Sequence, residues 1–122
     1  MNVKKARYEL DKLINLKVVK SVVDERGLMM QDHEQRFGGI GRLYGQKAWG
    51  TIKQARVAVI GIGGVGSWTA EALVRTGIQD ITLIDLDEVC ISNTNRQLHA
   101  LNGNIGKPKV EAMKERMLLI NP

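Results

Sequence analysis

Cysteine is nearly absent from this chain of 122 residues, and Cys90 is the only one. A lone cysteine excludes an internal disulfide and any C-x-x-C zinc pair within the chain. No apolar run reaches the ~18 residues of a membrane span, and the lysine-bearing N-terminus lacks an apolar stretch followed by a small-residue cleavage site. A cytoplasmic protein with no membrane partner is therefore expected. The length allows one domain and no more. Acids are outnumbered, 13 against 18 lysines and arginines, for a formal charge of +5. That surplus is compatible with a polyanion such as RNA, although a modest excess is more often a solvated surface.

Residues 56–97, RVAVIGIGGVGSWTAEALVRTGIQDITLIDLDEVCISNTNRQ, organise the rest. Val57, Val59 and Ile60 form a β-branched run of the kind found in strands buried on both faces. Gly61, Gly63, Gly64 and Gly66 follow at once. Glycines permit a tight turn and let backbone N–H groups approach phosphate oxygens with no Cβ in the way. A helix starting near Val65 would aim its positive end at an anion on that turn. Val65, Trp68, Ala72 and Leu73 fall on one helical face, and Gly77 is a suitable stop. Ile81, Leu83 and Ile84 make a second strand ending in Asp85, where an acid suits ribose hydroxyls.

Earlier in the chain, the apolar spacing within 8–23 predicts a helix that the pairs Val18-Val19 and Val22-Val23 weaken. Residues 31–45, QDHEQRFGGIGRLYG, read as an irregular glycine-rich connection into a helix over roughly 43–54. Arg36 and Arg42 there could reach a phosphate or a neighbouring subunit, or simply form surface ion pairs. His33 reads as a solvated loop histidine.

Beyond Asp85, the loop leaves the carboxyl end of the second strand, where ligands bind in open α/β sheets. Asp87 and Glu88 are candidate supporting or metal-directed acids. Asn93, Asn95 and Gln97 supply amides, and Arg96 supplies a planar cation matched to phosphate. Cys90, between apolar neighbours, reads as a small buried residue. Residues 104–109, NIGKPK, lead into a helix with Pro108 near its first turn, and Val110, Met113, Met117 and Ile120 repeat at core spacing. Lys109 opposes the helix dipole, which a bound anion would explain. The chain stops at Asn121-Pro122 where a third strand would begin, so the front half of a larger nucleotide-binding domain is expected.

The combination GIGGVGSW, DLDEVCISNTNRQ and IGKPKVEAM resembles the ubiquitin-activating-enzyme-like superfamily, which includes the ThiF and MoeB adenylyltransferases. The likeness is strongest to its bacterial tRNA threonylcarbamoyladenosine dehydratase branch and covers roughly 32–122, RFGGIGRLYG included. The resemblance implies ATP-dependent activation of a carboxylate, with ATP and Mg2+ as cofactors. Its glycine turn falls on 61–66, its ribose acid on Asp85 with Asp87 beside it, its loop asparagine on Asn93, and its phosphate-binding cations on Arg96 and Lys109. Its magnesium-directed aspartate falls beyond Pro122. MoeB-like members carry R-Y-x-R where this chain has Arg36-Phe37-Gly38-Gly39, so the second arginine is replaced by Gly39. The substrate implied is tRNA and the assembly a homodimer, with a sulfur-transfer protein partner left open.

The expected fold is α/β: a Rossmann-like parallel sheet, with N-terminal helices followed by an incomplete βαβα nucleotide-binding unit. Residues 1–31 form an N-terminal segment read as helical, and 32–122 the N-terminal part of a ThiF-type ATP-binding domain. Three other functions stay open. A sulfur-carrier or ubiquitin-like protein adenylyltransferase would use the same site. An NAD-dependent dehydrogenase would use Gly61, Gly63, Gly66 and Asp85, but has less need of Arg96 and Lys109. A non-catalytic binding module would pair through its unfinished sheet.

Overall fold

The computed structural model describes residues 19–20 and 28–122. In chain order these form β1 (Val19–Lys20), α1 (Leu28–Tyr44), α2 (Gln46–Lys53), β2 (Arg56–Ile60), α3 (Gly64–Arg75), β3 (Asp80–Ile84), a 3-10 turn (Ile91–Asn93) and α4 (Lys109–Leu118). Parallel neighbours need a crossover, and α3 supplies it between β2 and β3. Their register runs from Arg56↔Asp80 to Ile60↔Ile84. Both strands therefore finish side by side, and the loops that follow share one edge of the sheet. β1 adds antiparallel to the other side of β3. The helix expected over 8–23 lies mostly outside the described residues, and the part that is described, Val19–Lys20, is strand. β-branched residues favour that choice.

One face of the sheet is packed. Val59, Ile81 and Leu83 meet Ala70 and Val74 of α3 and Met113 and Met117 of α4, in keeping with the methionine spacing. The other face is not, which corrects the expectation of burial on both sides: Ile60 is 78% exposed. Only side chains of one parity along β2 point at the helices, so Ala58 and Ile60 point away. An open groove runs beside β2 and reaches Gly61 and Gly66 at one end.

α3 starts and stops at the glycines, as expected, with Gly77 (φ +81°) just past its C-cap Thr76. Its inner face differs from the expected one. Ser67, Ala70, Glu71 and Val74 are buried, while Val65 and Trp68 are exposed. The two polar members of that face are tolerated because each is partnered. Ser67 Oγ accepts the Leu98 N–H (3.1 Å). Glu71 accepts Arg116 Nε from α4 (2.8 Å) and Arg75 Nε (2.8 Å). Burial pushes the Glu71 carboxyl up, but hydrogen bonds from Arg116 and Arg75, with their charges, outweigh it and hold the carboxyl below the usual range. This clamp fixes α4 against α3, and with it the position of Lys109.

Residues 31–44 are helical, not irregular. The glycines serve close packing: a Cβ on Gly41 would lie 3.0 Å from Trp49 Cδ1, and one on Gly77 would lie 2.5 Å from Trp49 Cη2. The Trp49 ring, 1% exposed, fills the gap these residues leave, a contribution on the order of 3–5 kcal/mol for a buried aromatic. The helix expected over 43–54 is α2, shortened at its start by Gly45 (φ +88°). His33 stacks on Trp49 (5.7 Å between ring centres) and its Nε2 meets the Gly77 carbonyl (3.1 Å). It is thus half-buried, not solvated, and burial lowers its pKa while the Gly77 carbonyl partly offsets this.

Candidate functional site

Gly61 turns the chain out of β2 at φ +86° and donates its N–H to the Ile84 carbonyl (2.7 Å), tying the end of one strand to the other. Ile62 is wholly buried. Its N–H donates to Asp85 Oδ2 (2.5 Å), and its carbonyl accepts from His99 Nε2 (2.8 Å). α3 then begins with Gly63 as its N-cap, which has no side chain to cap it. The first-turn N–H groups of α3 therefore face outward without intrahelical acceptors, next to the positive end of the helix dipole. That arrangement suits an anion.

The four glycines divide by role. A Cβ on Gly66 would lie 1.7 Å from the Gly61 carbonyl oxygen, so the turn itself demands glycine there. Gly61 is demanded by its positive φ. Gly63 and Gly64 are different: an added Cβ would meet Gln97 Nε2 at 3.9 Å and Arg96 Cγ at 3.6 Å, ordinary contacts. No packing contact requires those two, which leaves room for close approach of a ligand to their backbone.

Asp85 closes the other side. Its Oδ1 accepts the Asp87 N–H (2.8 Å) while Oδ2 holds Ile62. Asp87 in turn pairs with Lys109, Nζ to Oδ2 at 2.9 Å, and its carbonyl accepts the Lys109 N–H (2.9 Å). Lys109 is 6% exposed, so a cation is held at the start of α4 against that helix's dipole, and Asp87 offsets the cost. Glu88 bridges to Pro108 through the backbone. The Asn93 side-chain oxygen accepts the Cys90 N–H (3.0 Å) and shapes the 3-10 turn. Arg96 lays its aliphatic stem along Gly64 and donates Nη1 to the Ser92 carbonyl and Asn95 Oδ1 (3.0 Å each). Trp68 Nε1 donates to the Arg96 carbonyl (3.2 Å).

The glycine turn, Asp85, Asp87, Asn93, Arg96 and Lys109 thus gather at the carboxyl edge of the sheet. Arg36 and His33 do not. Arg36 pairs with Asp32 (2.8 Å) and reaches the Ile120 carbonyl (3.5 Å), beyond the far end of α4. His33 contacts Gly77, before β3 begins. Arg42 is exposed on the last turn of α1. Cys90 is exposed, not buried. In this extended stretch Val89 takes the inward position with Ala100 and Ala112, and Cys90 points the other way. Two residues that support the turn escape sequence reasoning. His99 offers only the local signal of a histidine shortly after an Asn-Arg-Gln run, and Ser67 is masked by its glycine-rich neighbours.

Residues 39–122 match the ThiF family. The chain belongs to the ThiF family. Over 93 residues it is 58% identical to tRNA threonylcarbamoyladenosine dehydratase of Haemophilus influenzae, covering 76% of this chain and 36% of that relative. With the dehydratase of Escherichia coli it is 62% identical over 88 residues, covering 72% of this chain and 33% of the relative. A crystal structure of the E. coli dehydratase in complex with ATP matches at a TM-score of 0.71 and 62% identity, covering 73% of this chain and 37% of that one. The chain spans about a third of the length of these relatives. Its parallel β2–α3–β3 unit is a piece of the Rossmann-like fold of these ThiF-family structures.

Among the described residues, no group of three or more His, Cys, Asp or Glu side chains is placed to hold a metal ion, and no helix is long and apolar enough to cross a membrane.

Proposed function

We propose that this chain carries the nucleotide site of an ATP-dependent carboxylate-activating enzyme whose substrate is threonylcarbamoyladenosine in tRNA. The observation that carries this reading is the gathering of Arg96 and Lys109 on the same sheet edge as the glycine turn. The 62% identity to a dehydratase crystallised with ATP supports it. ATP is the substrate that supplies the adenylyl group. Asp85 would take the ribose, the backbone N–H groups of Gly63, Gly64 and the first turn of α3 would take phosphate oxygens, and Asn93 would shape the loop beside them. Arg96 and Lys109 would offset charge that develops at the phosphates, with Asp87 keeping Lys109 in place.

A carboxylate oxygen of the threonylcarbamoyl group attacks the α-phosphorus, and the bond to the pyrophosphate oxygen breaks. The urea nitrogen borne on the adenine ring then attacks the activated acyl carbon and gives up its proton to solvent. A ring forms, AMP departs with the bonding electron pair, and the nucleoside loses one water overall. Magnesium would arrive with the phosphates. The described residues of this chain do not form a site for it. The assembly proposed is a homodimer, and the compartment the cytoplasm.

The test is incubation of the chain with ATP and tRNA that bears threonylcarbamoyladenosine. AMP release that depends on the modification, with a product nucleoside lighter by one water, is expected. AMP release that instead depends on the carboxyl terminus of a sulfur-carrier protein contradicts the assigned substrate. Absence of AMP release contradicts catalysis by this chain.

A further inference from the structure

We infer that His99 is a positioning residue that turns the Ile62–Gly63 peptide so that the Gly63 N–H faces the ligand. This rests on the nucleotide reading of the glycine turn. His99 is 0% exposed and lies 37 residues away in the chain from Ile62, whose carbonyl its Nε2 meets at 2.8 Å. A carbonyl only accepts, so Nε2 carries the proton and the ring is the Nε2–H tautomer. Nδ1 is buried without a partner among the described residues, so no acceptor is in place for a second ring proton and Nδ1 is the bare nitrogen. The ring thus has a single polar contact there, and that contact is with the turn.

The peptide plane converts this contact into a direction. In a trans peptide the carbonyl of one residue and the N–H of the next point opposite ways. Drawing the Ile62 carbonyl inward to His99 therefore turns the Gly63 N–H outward. That N–H has no backbone acceptor among the described residues. The preceding peptide is set independently, because the Ile62 N–H is held by Asp85 Oδ2. The flanking Gly63 makes rotation of the Ile62–Gly63 peptide cheap, since glycine resists few backbone conformations. Without His99 the plane can turn over and present a carbonyl oxygen where a phosphate oxygen should sit.

His99 is itself braced. Its carbonyl accepts the Leu101 N–H (2.9 Å) and Asn104 Nδ2 (3.0 Å). The preceding Leu98 N–H is fixed by Ser67 Oγ of α3 (3.1 Å). The loop after Arg96 is thereby a strut between α3 and the turn.

Nitrogen-15 NMR of the whole chain tests this. The wild-type spectrum should show His99 as the neutral Nε2–H tautomer, and an Nδ1–H tautomer overturns the inference. In His99→Leu the amide resonances of Gly63 and Gly64 should shift while that of Gly77, at the other end of β3, stays. In His99→Gln, whose amide nitrogen can donate in place of Nε2, they should return toward wild type. Calorimetry on the same proteins should find ATP bound about tenfold more weakly by His99→Leu, one hydrogen bond's worth, with adenosine changed by less than about twofold. An unmoved Gly63 amide, or no recovery in His99→Gln, overturns the positioning role. Should wild type bind no ATP, the nucleotide reading fails, while the tautomer and the Gly63 resonance still decide whether His99 sets the peptide. If His99→Leu does not fold, the wild-type tautomer and the His99→Gln resonances decide it.

Discussion

Gly66→Ala should destroy the glycine turn and with it nucleotide binding, whereas Gly64→Ala, two positions earlier, should leave the fold intact. The added methyl group at Gly66 would lie 1.7 Å from the Gly61 carbonyl oxygen and 2.8 Å from its carbonyl carbon. Both are backbone atoms, and Gly61 is anchored to the Ile84 carbonyl at 2.7 Å, so no side chain can swing aside. Either α3 withdraws from β2 or the turn opens. The cost should reach or exceed the ~1–3 kcal/mol usual for overpacking. At Gly64 the nearest atoms are the flexible stem of Arg96, at 3.6 and 3.7 Å. Its stability change should stay within about 0.5 kcal/mol, as for most surface substitutions. Thermal melts followed by circular dichroism should therefore separate the two variants, and titration with ATP should find weakened binding in both. A Gly66→Ala protein that melts and binds like its parent would show that the turn is not held as described.

The second large effect is expected at the cations. Lys109→Ala and Arg96→Ala should each weaken ATP about 10–100-fold, the range for hydrogen bonds to charged groups, and leave adenosine nearly unchanged. Lys109 is the more telling of the two. Its side chain is 8% exposed but its partner Asp87 is 73% exposed, so removing the lysine leaves no buried unpaired charge. The fold should survive, and the loss should appear in phosphate binding alone. Arg96 lies along Gly64 and donates to Ser92 and Asn95, so its deletion should also loosen the 3-10 loop. Calorimetric titration of each variant with ATP and with adenosine measures the split. Equal losses for both ligands would sink the phosphate role.

Much of this arrangement is legible in the amino-acid sequence. Glycine spacing, a β-branched run and a terminal acid are local signals, and they place β2, α3, β3 and Asp85 correctly. Parallel register then brings Lys109 and Arg96 to the same edge. What stays hidden depends on contacts distant in sequence. Gly38, Gly39 and Gly41 look like helix breakers, yet Gly41 lies inside α1 because Trp49 needs the space. Ser67 and Glu71 look solvent-facing, yet they are buried because Leu98 and Arg116 arrive from later in the chain to partner them. β2 looks buried on both faces because apolar composition does not record which face has a neighbour. Cys90 sits among apolar residues, but alternation in an extended loop gives the inward place to Val89. His99 offers only its place shortly after Asn95-Arg96-Gln97, and its importance appears when the ring is found on the Ile62 carbonyl.

What the glycine turn binds decides between an adenylating site and the other uses of such a turn. Calorimetric titration of the unmodified chain with Mg-ATP, and separately with NAD, is the most direct test, after circular dichroism has shown the chain to be folded. Saturable binding of ATP without binding of NAD is the predicted result, because Arg96 and Lys109 add cations that a dinucleotide does not need. Binding of NAD in preference to ATP, or of neither by a folded chain, would contradict it.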